Sequence, residues 1–285
     1  MAAELLKGKP IADGIKEGIK KEAEALKQKG AALKLAAVQV GENAASAVYL
    51  KSQAKTADAL GISYELHTLP DATTEGELIA FIKKLNSDTS VTAIILQLPV
   101  PKQINARKVI LNIDPKKDAE GMHPVNLGKI LLAEQRLAPC TASAVMEILR
   151  STGQKLYGKE AVVVGHSEIV GKPLSLMLLS EFATTTVCHI GTGERGLLPE
   201  HVKRAEILVV AVGRAGLIKG EWIKEGAIVV DVGINRVGDK IVGDVEFEAA
   251  SERASLITPV PGGVGPLTVT LLMRNVLEAH KVQGE

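Results

Sequence analysis

The chain has 285 residues, enough for one large or two modest domains. At 46% hydrophobic and 24% charged it reads as globular, and with only 2% aromatic residues its core must be aliphatic. A net charge of +1 gives no electrostatic reason to expect nucleic acid as a partner. The two cysteines, Cys140 and Cys188, make no disulfide framework, which points to a reducing cytoplasm. The opening MAAELLKGKP lacks the apolar run of a signal peptide, and no stretch approaches ~20 uninterrupted apolar residues, so no membrane association is expected.

In chain order, LKLAAVQVG (33–41) reads as a buried strand ending in a glycine. SAVYLKSQAKTADALG (46–61) follows as a helix, with Gly61 as its C-cap. SYELHTLP alternates like a strand, TEGELIAFIKKLNSD has the pattern of an amphipathic helix, and VTAIILQLPVP (91–101) is a strand closed by two prolines. After the polar DPKKDAEGMHPVN a second series begins. KEAVVVGHSEIVGKPLSLMLL (159–179) reads as strand, tight turn and helix, and TTTVCHIGTG (184–193) as strand and loop. AEILVVAVGRAG and GAIVVDVGINR are two further apolar strands, each ending in glycine. GPLTVTLLMRNVLEAHK is a last helix able to return to the first series. Strands alternating with helices predict a parallel α/β sheet in each series. The expected domains are 1–138 with 266–285, and a dinucleotide-binding type of domain over 139–265.

The chemistry-bearing residues fall at strand ends. VVVGHSEIVGKP would aim backbone N–H groups from a helix N-terminus at a pyrophosphate, although Ser167 stands where the usual fingerprint has a second glycine. AVG (211–213) and DVGIN (231–235) lie at strand ends where a cofactor would run. ILQLPVP and ITPVPGGVGP suit rigid turns, with room for a cis X-Pro bond, and the second is too apolar for an ordinary surface loop, which favours a site wall. Asp118 and Glu120 sit in a polar loop, where acids are usually solvated. The scattered histidines and unpaired cysteines give no metal-ligand spacing, and no nucleophile–base set assembles.

Together these segments resemble the methylenetetrahydrofolate dehydrogenase/cyclohydrolases, nearly end to end. The resemblance rests on SAVYLKSQ, ILQLPVP, DPKKDAEGMHP, PCTASAVMEIL, VVVGHSEIVGKP, AEILVVAVG, GAIVVDVGIN, VGDV and TPVPGGVGPLTV. It implies two α/β domains: a folate-binding catalytic domain and a Rossmann-like NAD(P)-binding domain, with a cleft between them. It also implies a tetrahydrofolate derivative as substrate and a homodimer paired through the nucleotide-binding domains. By the same resemblance Tyr49, Gln53, Gln97 and Glu120 occupy the catalytic positions, and Pro99, Pro261, Gly262, Gly263 and Thr268 line the folate side. Gly165, His166, Ser167, Ile190, Gly213 and Ile234 fall on the cofactor side. No metal is implied.

Four positions depart from the resembled pattern. The catalytic lysine four residues after the tyrosine is Gln53 here; the aspartate of D-V-D-G is Glu120; the arginine of G-R-S is His166; the serine of C-H-S is Ile190. An amide does not exchange protons, so Gln53 permits hydride transfer and removes the group that serves hydrolysis. Lys51 and Lys55 lie well around the helix from position 53 and do not substitute. The expected activity is therefore methylenetetrahydrofolate dehydrogenase with weak or absent cyclohydrolase. The alternatives are a fully bifunctional enzyme and a degenerate folate- or nucleotide-binding protein. Losing the arginine and serine that can hold a 2′-phosphate favours NAD over NADP, with Arg195 as the nearby cation that opposes the inference.

Overall fold

In the computed structural model residues 3–42 and 44–285 are described, those at 44–46 by their backbone alone. The chain separates into two compact units. An N-terminal unit comprises Gly14–Cys140 with Val269–Glu285, and a C-terminal unit comprises Met1–Asp13 with Thr141–Thr268.

The N-terminal unit is built on a three-stranded parallel sheet. Strand Lys34–Val40 lies between Ser63–Leu69 and Ala93–Leu96. The apolar run Leu35–Val38 is fully buried because helices must cover a parallel sheet. Helix Ala44–Ala59 ends where the sequence predicts. Gly61 takes φ +74°, its N–H donates to Asp58 O, and the N–H of Ile62 donates to Ala57 O. Helix Glu75–Ser87 starts in a capping box, with the Glu77 N–H on Thr74 Oγ1 and the Thr74 N–H on Glu77. Its buried face, Leu78 and Ile82, packs with Ala36, Val38, Ile94 and Leu96. Each such side chain contributes roughly 1.5–3 kcal/mol of burial free energy.

Two features lengthen this unit beyond its regular strands. The segment around Asp118 runs parallel to Ile94: the Ile94 N–H donates to Lys117 O and the Ala119 N–H to Ile94 O. The last helix, Gly265–Gly284, joins through Asn275, whose Nδ2 donates to Ala119 O at 2.8 Å and Ala138 O at 3.0 Å.

The C-terminal unit holds a six-stranded sheet, parallel throughout. Its spatial order is Glu4–Leu5, Leu256–Ile257, Ile228–Asp231, Ile207–Val210, Glu160–Val164, Thr184–Cys188. Glu160–Val164 has its two chain successors on opposite sides, so the order reverses between it and Ile207–Val210. That reversal opens a crevice beyond Val164 and Val210. Strands Ile228–Asp231, Ile207–Val210 and Glu160–Val164 bury their apolar residues on both faces, as their Val/Ile/Leu runs require. The segment after Cys188, expected as a loop, is a short helix, Ile190–Glu194. It forms because Thr192 Oγ1 accepts the His189 N–H and so holds the first turn.

Candidate active site

In the N-terminal unit Tyr49, Gln53, Gln97 and Glu120 come together. Tyr49 and Gln53 sit one helical turn apart on Ala44–Ala59, and Gln97 follows strand Ala93–Leu96. Gln53 is completely buried and Gln97 nearly so, whereas Lys51 and Lys55 are exposed on the far side of the helix. The two amides pair head to tail: Gln97 Nε2 donates to Gln53 Oε1 at 3.0 Å, and Gln53 Nε2 approaches Gln97 Oε1 at 3.5 Å. Tyr64, from strand Ser63–Leu69, donates its hydroxyl to Gln53 Oε1 at 2.9 Å.

Charge is held back throughout this cluster. Burial, helped by Glu120 and Cys140, pushes the Tyr49 hydroxyl far above the ordinary phenol range, with the neighbouring Gln53 pulling the other way. Burial pushes Tyr64 up to about 12. Glu120 is half-buried; burial first, and Asp118 second, push it up to about 8. Glu120 is thus the acid of the cluster that changes charge near neutrality.

The expectation that Asp118 and Glu120 are solvated is wrong for both. Asp118 is 1% exposed, because the Ile94 bridge draws its segment against the sheet. Its carboxylate accepts the N–H groups of Gly121 (3.1 Å) and His123 (2.7 Å) and the Asn126 amide (2.9 Å). Burial still raises it, with those bonds opposing. Asp118 therefore shapes the turn that carries Glu120. Cys140 is buried nearby with its thiol on Ala119 O, and burial pushes that thiol well up.

Pro99 is exposed and follows a cis bond from Leu98. Pro261, Gly262, Gly263 and Thr268 belong to the C-terminal unit. There Val260–Pro261 is also cis, Gly262 O accepts the Gly8 N–H at 2.9 Å, and Gly263 is buried.

The cofactor-side residues follow the carboxyl ends of strands Glu160–Val164, Thr184–Cys188, Ile207–Val210 and Ile228–Asp231 of the C-terminal unit. Gly165 takes φ +121°, and a Cβ there would overlap Ala211 O, so this turn requires glycine. Gly171, the first residue of helix Gly171–Ser180, backs onto Gly165 as closely. Ser167 Oγ accepts the Val170 N–H at 3.1 Å. His166 is exposed, its ring edge-on to that of His189 at 5.3 Å. Ile190 and Ile234 are 76% and 67% exposed, unusual for isoleucine. Gly213 lies in a turn organised by Asp244. Asp244 is fully buried and accepts the N–H groups of Val212 (2.7 Å), Gly213 (2.9 Å) and Arg214 (2.7 Å), plus Asn235 Nδ2 (2.8 Å). Asp231 in turn accepts the N–H groups of Gly233, Asp244 and Val245, and burial raises it to about 6.

Sequence reasoning missed Tyr64, Asp231 and Asp244 as site-building residues. One signal was available for Tyr64: it is one of only three tyrosines and lies on an alternating strand.

Comparisons with known proteins identify two family domains along the chain. Residues 6–120 match the catalytic-domain model of tetrahydrofolate dehydrogenase/cyclohydrolase, and residues 139–284 match its NAD(P)-binding-domain model. A bifunctional protein FolD 2 of Geobacter metallireducens is 51% identical over 282 residues, 99% of this chain and 98% of its own. The crystal structure of the bifunctional FolD of Campylobacter jejuni superposes with a TM-score of 0.95 at 43% identity, covering 99% of this chain and 100% of that one. The FolD of Trypanosoma brucei, complexed with NADP cofactor and inhibitor, gives 0.95 at 37% identity, covering 100% and 99%.

Proposed function

The chain belongs to the tetrahydrofolate dehydrogenase/cyclohydrolase family, and from that premise we propose that it oxidises methylenetetrahydrofolate to methenyltetrahydrofolate, with NAD(P) as hydride acceptor. The observation that carries this reading is the Tyr49–Gln53–Gln97 cluster, with both amides buried, Tyr49 half-buried and no lysine among the three. Hydride transfer leaves a cation spread over the substrate's own nitrogens, so the protein's task is mainly to position the pterin. A tyrosine hydroxyl and a fixed amide pair can do that without changing charge. The glycine-dependent turn at Gly165–Gly171, opening at the strand-order reversal, fits a dinucleotide's pyrophosphate, with Gly213 and Ile234 beside it.

The hydrolytic half has two readings. Gln53 cannot exchange a proton, which favours weak or absent cyclohydrolase. The full-length relatives are named bifunctional, which favours a retained one, and more strongly. Under that second reading Glu120 is the group able to move a proton, because it titrates near neutrality within electrostatic reach of Tyr49.

Three finer assignments go with this proposal. NAD is preferred to NADP, because the exposed Ile190 offers a 2′-phosphate no polar group and the His166 imidazole lacks a guanidinium's fork of donors. The protein is a homodimer through its C-terminal unit, where Thr184–Cys188 is an open sheet edge and Tyr157 and Phe182 stand exposed against each other at 5.6 Å. Both cysteines are free and buried, which suits a reducing cytoplasm, and among the described residues no helix is long and apolar enough to cross a membrane.

One coupled assay tests the core of this reading. Purified protein is given methylenetetrahydrofolate with NAD or NADP, and cofactor reduction and methenyl decay are followed separately. Failure to reduce either cofactor refutes the dehydrogenase. Methenyl decay at the buffer rate supports a dehydrogenase alone; faster decay that is lost in Glu120→Gln supports the bifunctional enzyme.

A further inference from the structure

We infer that Asn275 is a positioning residue that sets the place of Glu120 by holding the carbonyl of the residue before it, Ala119. Its bearing on catalysis rests on the proposal that Glu120 belongs to the folate site. Asn275 stands on helix Gly265–Gly284, 156 positions beyond Ala119 in the chain, and lies outside the segments that carry the family resemblance.

Hydrogen-bond counting at the Ala119 carbonyl supports the assignment. Asn275 is buried, and its amide nitrogen has two hydrogens. One goes to Ala119 O at 2.8 Å and the other to Ala138 O at 3.0 Å, so both are used. A second donor to Ala119 O is the Cys140 thiol at 3.6 Å, which is a weak one. Ala119 is itself fully buried, and its N–H is committed to Ile94 O at 3.0 Å. Without Asn275 the carbonyl next to Glu120 would keep, among the described residues, only the thiol.

The bridge spans the place where two backbone segments meet. Gly121 takes φ +70°, and a Cβ there would overlap the Ala138 carbonyl, so the turn after Glu120 lies directly on the segment before Cys140. Asn275 ties those same two segments together. The loop has other anchors. Lys117 is buried, and its ammonium donates to Asn86 O and Asp88 O at 2.8 Å each and to Leu85 O at 3.3 Å, at the end of helix Glu75–Ser87. Asp118 accepts the N–H groups of Gly121 and His123. Losing Asn275 therefore frees the Ala119–Glu120 peptide while both ends of the loop stay attached.

The test uses Asn275→Ser. The shorter hydroxyl can bond its own helix, and the lost volume admits water to the two carbonyls, so the chain still folds. Glutamate ¹³Cδ labelling gives a carboxyl NMR signal for Glu120, identified by its absence in Glu120→Gln, and its titration midpoint is read in each protein. The titratable groups around that carboxyl are Asp118, Tyr49 and Cys140, with Arg274 bearing on the thiol. In Asn275→Ser the midpoint should move from about 8 toward the ordinary 4.5, as Glu120 gains solvent. Leu277→Ala is the control, since it opens a cavity at a buried position of the same helix and leaves both carbonyls their bonds. It should lower stability and leave the midpoint in place. An unmoved midpoint in Asn275→Ser overturns the inference, and so does an equal movement in the control. Activity gives a second readout. The KM for the folate should rise about three- to ten-fold in Asn275→Ser, the scale of one hydrogen bond, with the KM for the dinucleotide unchanged. A parallel rise of both KM values overturns it as well. A protein that reduces no cofactor yet shows the moved midpoint refutes the proposed reaction and leaves the role of Asn275 standing.

Discussion

Gln53 and Gln97 face each other as a buried amide pair, one on a helix and the other at the end of a strand, joined by bonds of 3.0 and 3.5 Å. A pair of this kind is complete in itself. Neither member can gain or lose a proton, and each fixes which end of the other is donor and which acceptor. The site is therefore organised around neutral groups, and introducing a charge is the most informative perturbation.

Gln53→Lys introduces one. The new ammonium would be buried beside Tyr49, Tyr64 and Gln97 and would lose its hydration, which lowers its pKa toward the working range. Methenyl hydrolysis should rise by about 10-fold or more, on the usual scale of general acid–base help. Cofactor reduction should slow, because a nearby cation opposes the cationic product. The folded state should also lose roughly 1–3 kcal/mol from the broken amide pair, read as a lower midpoint in urea. If Glu120 captures the ammonium as an ion pair, adding Glu120→Asp restores the gain. No gain in either variant, with wild type already hydrolysing fast, would show that position 53 does not control the second step.

Much of this was legible in the sequence, and the exceptions share a cause. Strands such as Ile207–Val210 and Ile228–Asp231 announce themselves because burial on both faces demands unbroken apolar runs. Tyr49 and Gln53 were readable as neighbours because a helix fixes their spacing. What escaped depended on contacts distant in sequence. Asp118 reads as a solvated loop acid until the Ile94 bridge folds it inward. Tyr64 reads as one alternating strand residue until it reaches Gln53. Helix Gly8–Gln28 went unassigned although it buries Ala12, Ile19 and Ala23, since its lysine-rich sequence has a low apolar content.

Asp244→Asn should loosen the cofactor side without touching the folate side. Asparagine offers one acceptor oxygen where the carboxylate serves three backbone N–H groups and Asn235. The loop at 212–214 would be left partly unsatisfied next to the strand-order reversal. The KM for the dinucleotide should rise several-fold while the KM for the folate stays put, and stability should fall by about 1–3 kcal/mol. Equal effects on both KM values would argue that Asp244 only supports the fold.

The cofactor preference can be moved by restoring what the two exposed positions lack. Ile190→Ser together with His166→Arg should raise kcat/KM with NADP about 10-fold or more relative to NAD, because a charge-assisted pair and a hydroxyl would then meet the 2′-phosphate. A wild type already faster with NADP, or a double variant with an unchanged ratio, would count against the assignment.

The dimer prediction is read from mass. Light scattering at micromolar protein should give about twice the 30.1 kDa of one chain. Replacing Tyr157 and Phe182 with aspartate should shift it toward one, since these exposed rings flank the open strand edge. A wild-type mass near 30.1 kDa would dismiss the assembly.

Glu120 should leave a signature in the pH dependence of stability. Its folded-state pKa is raised from 4.5 to about 8, so between those values the native protein holds a proton that the unfolded chain has released. Where the native state binds more protons, stability falls as pH rises, by at most about 1.4 kcal/mol per pH unit for a single group. The contribution is fully present below pH 4.5 and is lost as pH climbs through 8. Asp231 behaves with the same sign, but its raised value of about 6 confines its effect to more acidic pH. Asp118 is raised in the same direction, so it is the difference between wild type and Glu120→Gln that isolates Glu120. Glu120→Gln keeps the shape of the side chain and removes the titration, so its melting temperature should be flatter than that of wild type between pH 6 and 8 and higher at pH 8. If the two proteins melt in parallel from pH 6 to 8, Glu120 titrates in its ordinary range and cannot be the proton-transfer group of a bifunctional enzyme.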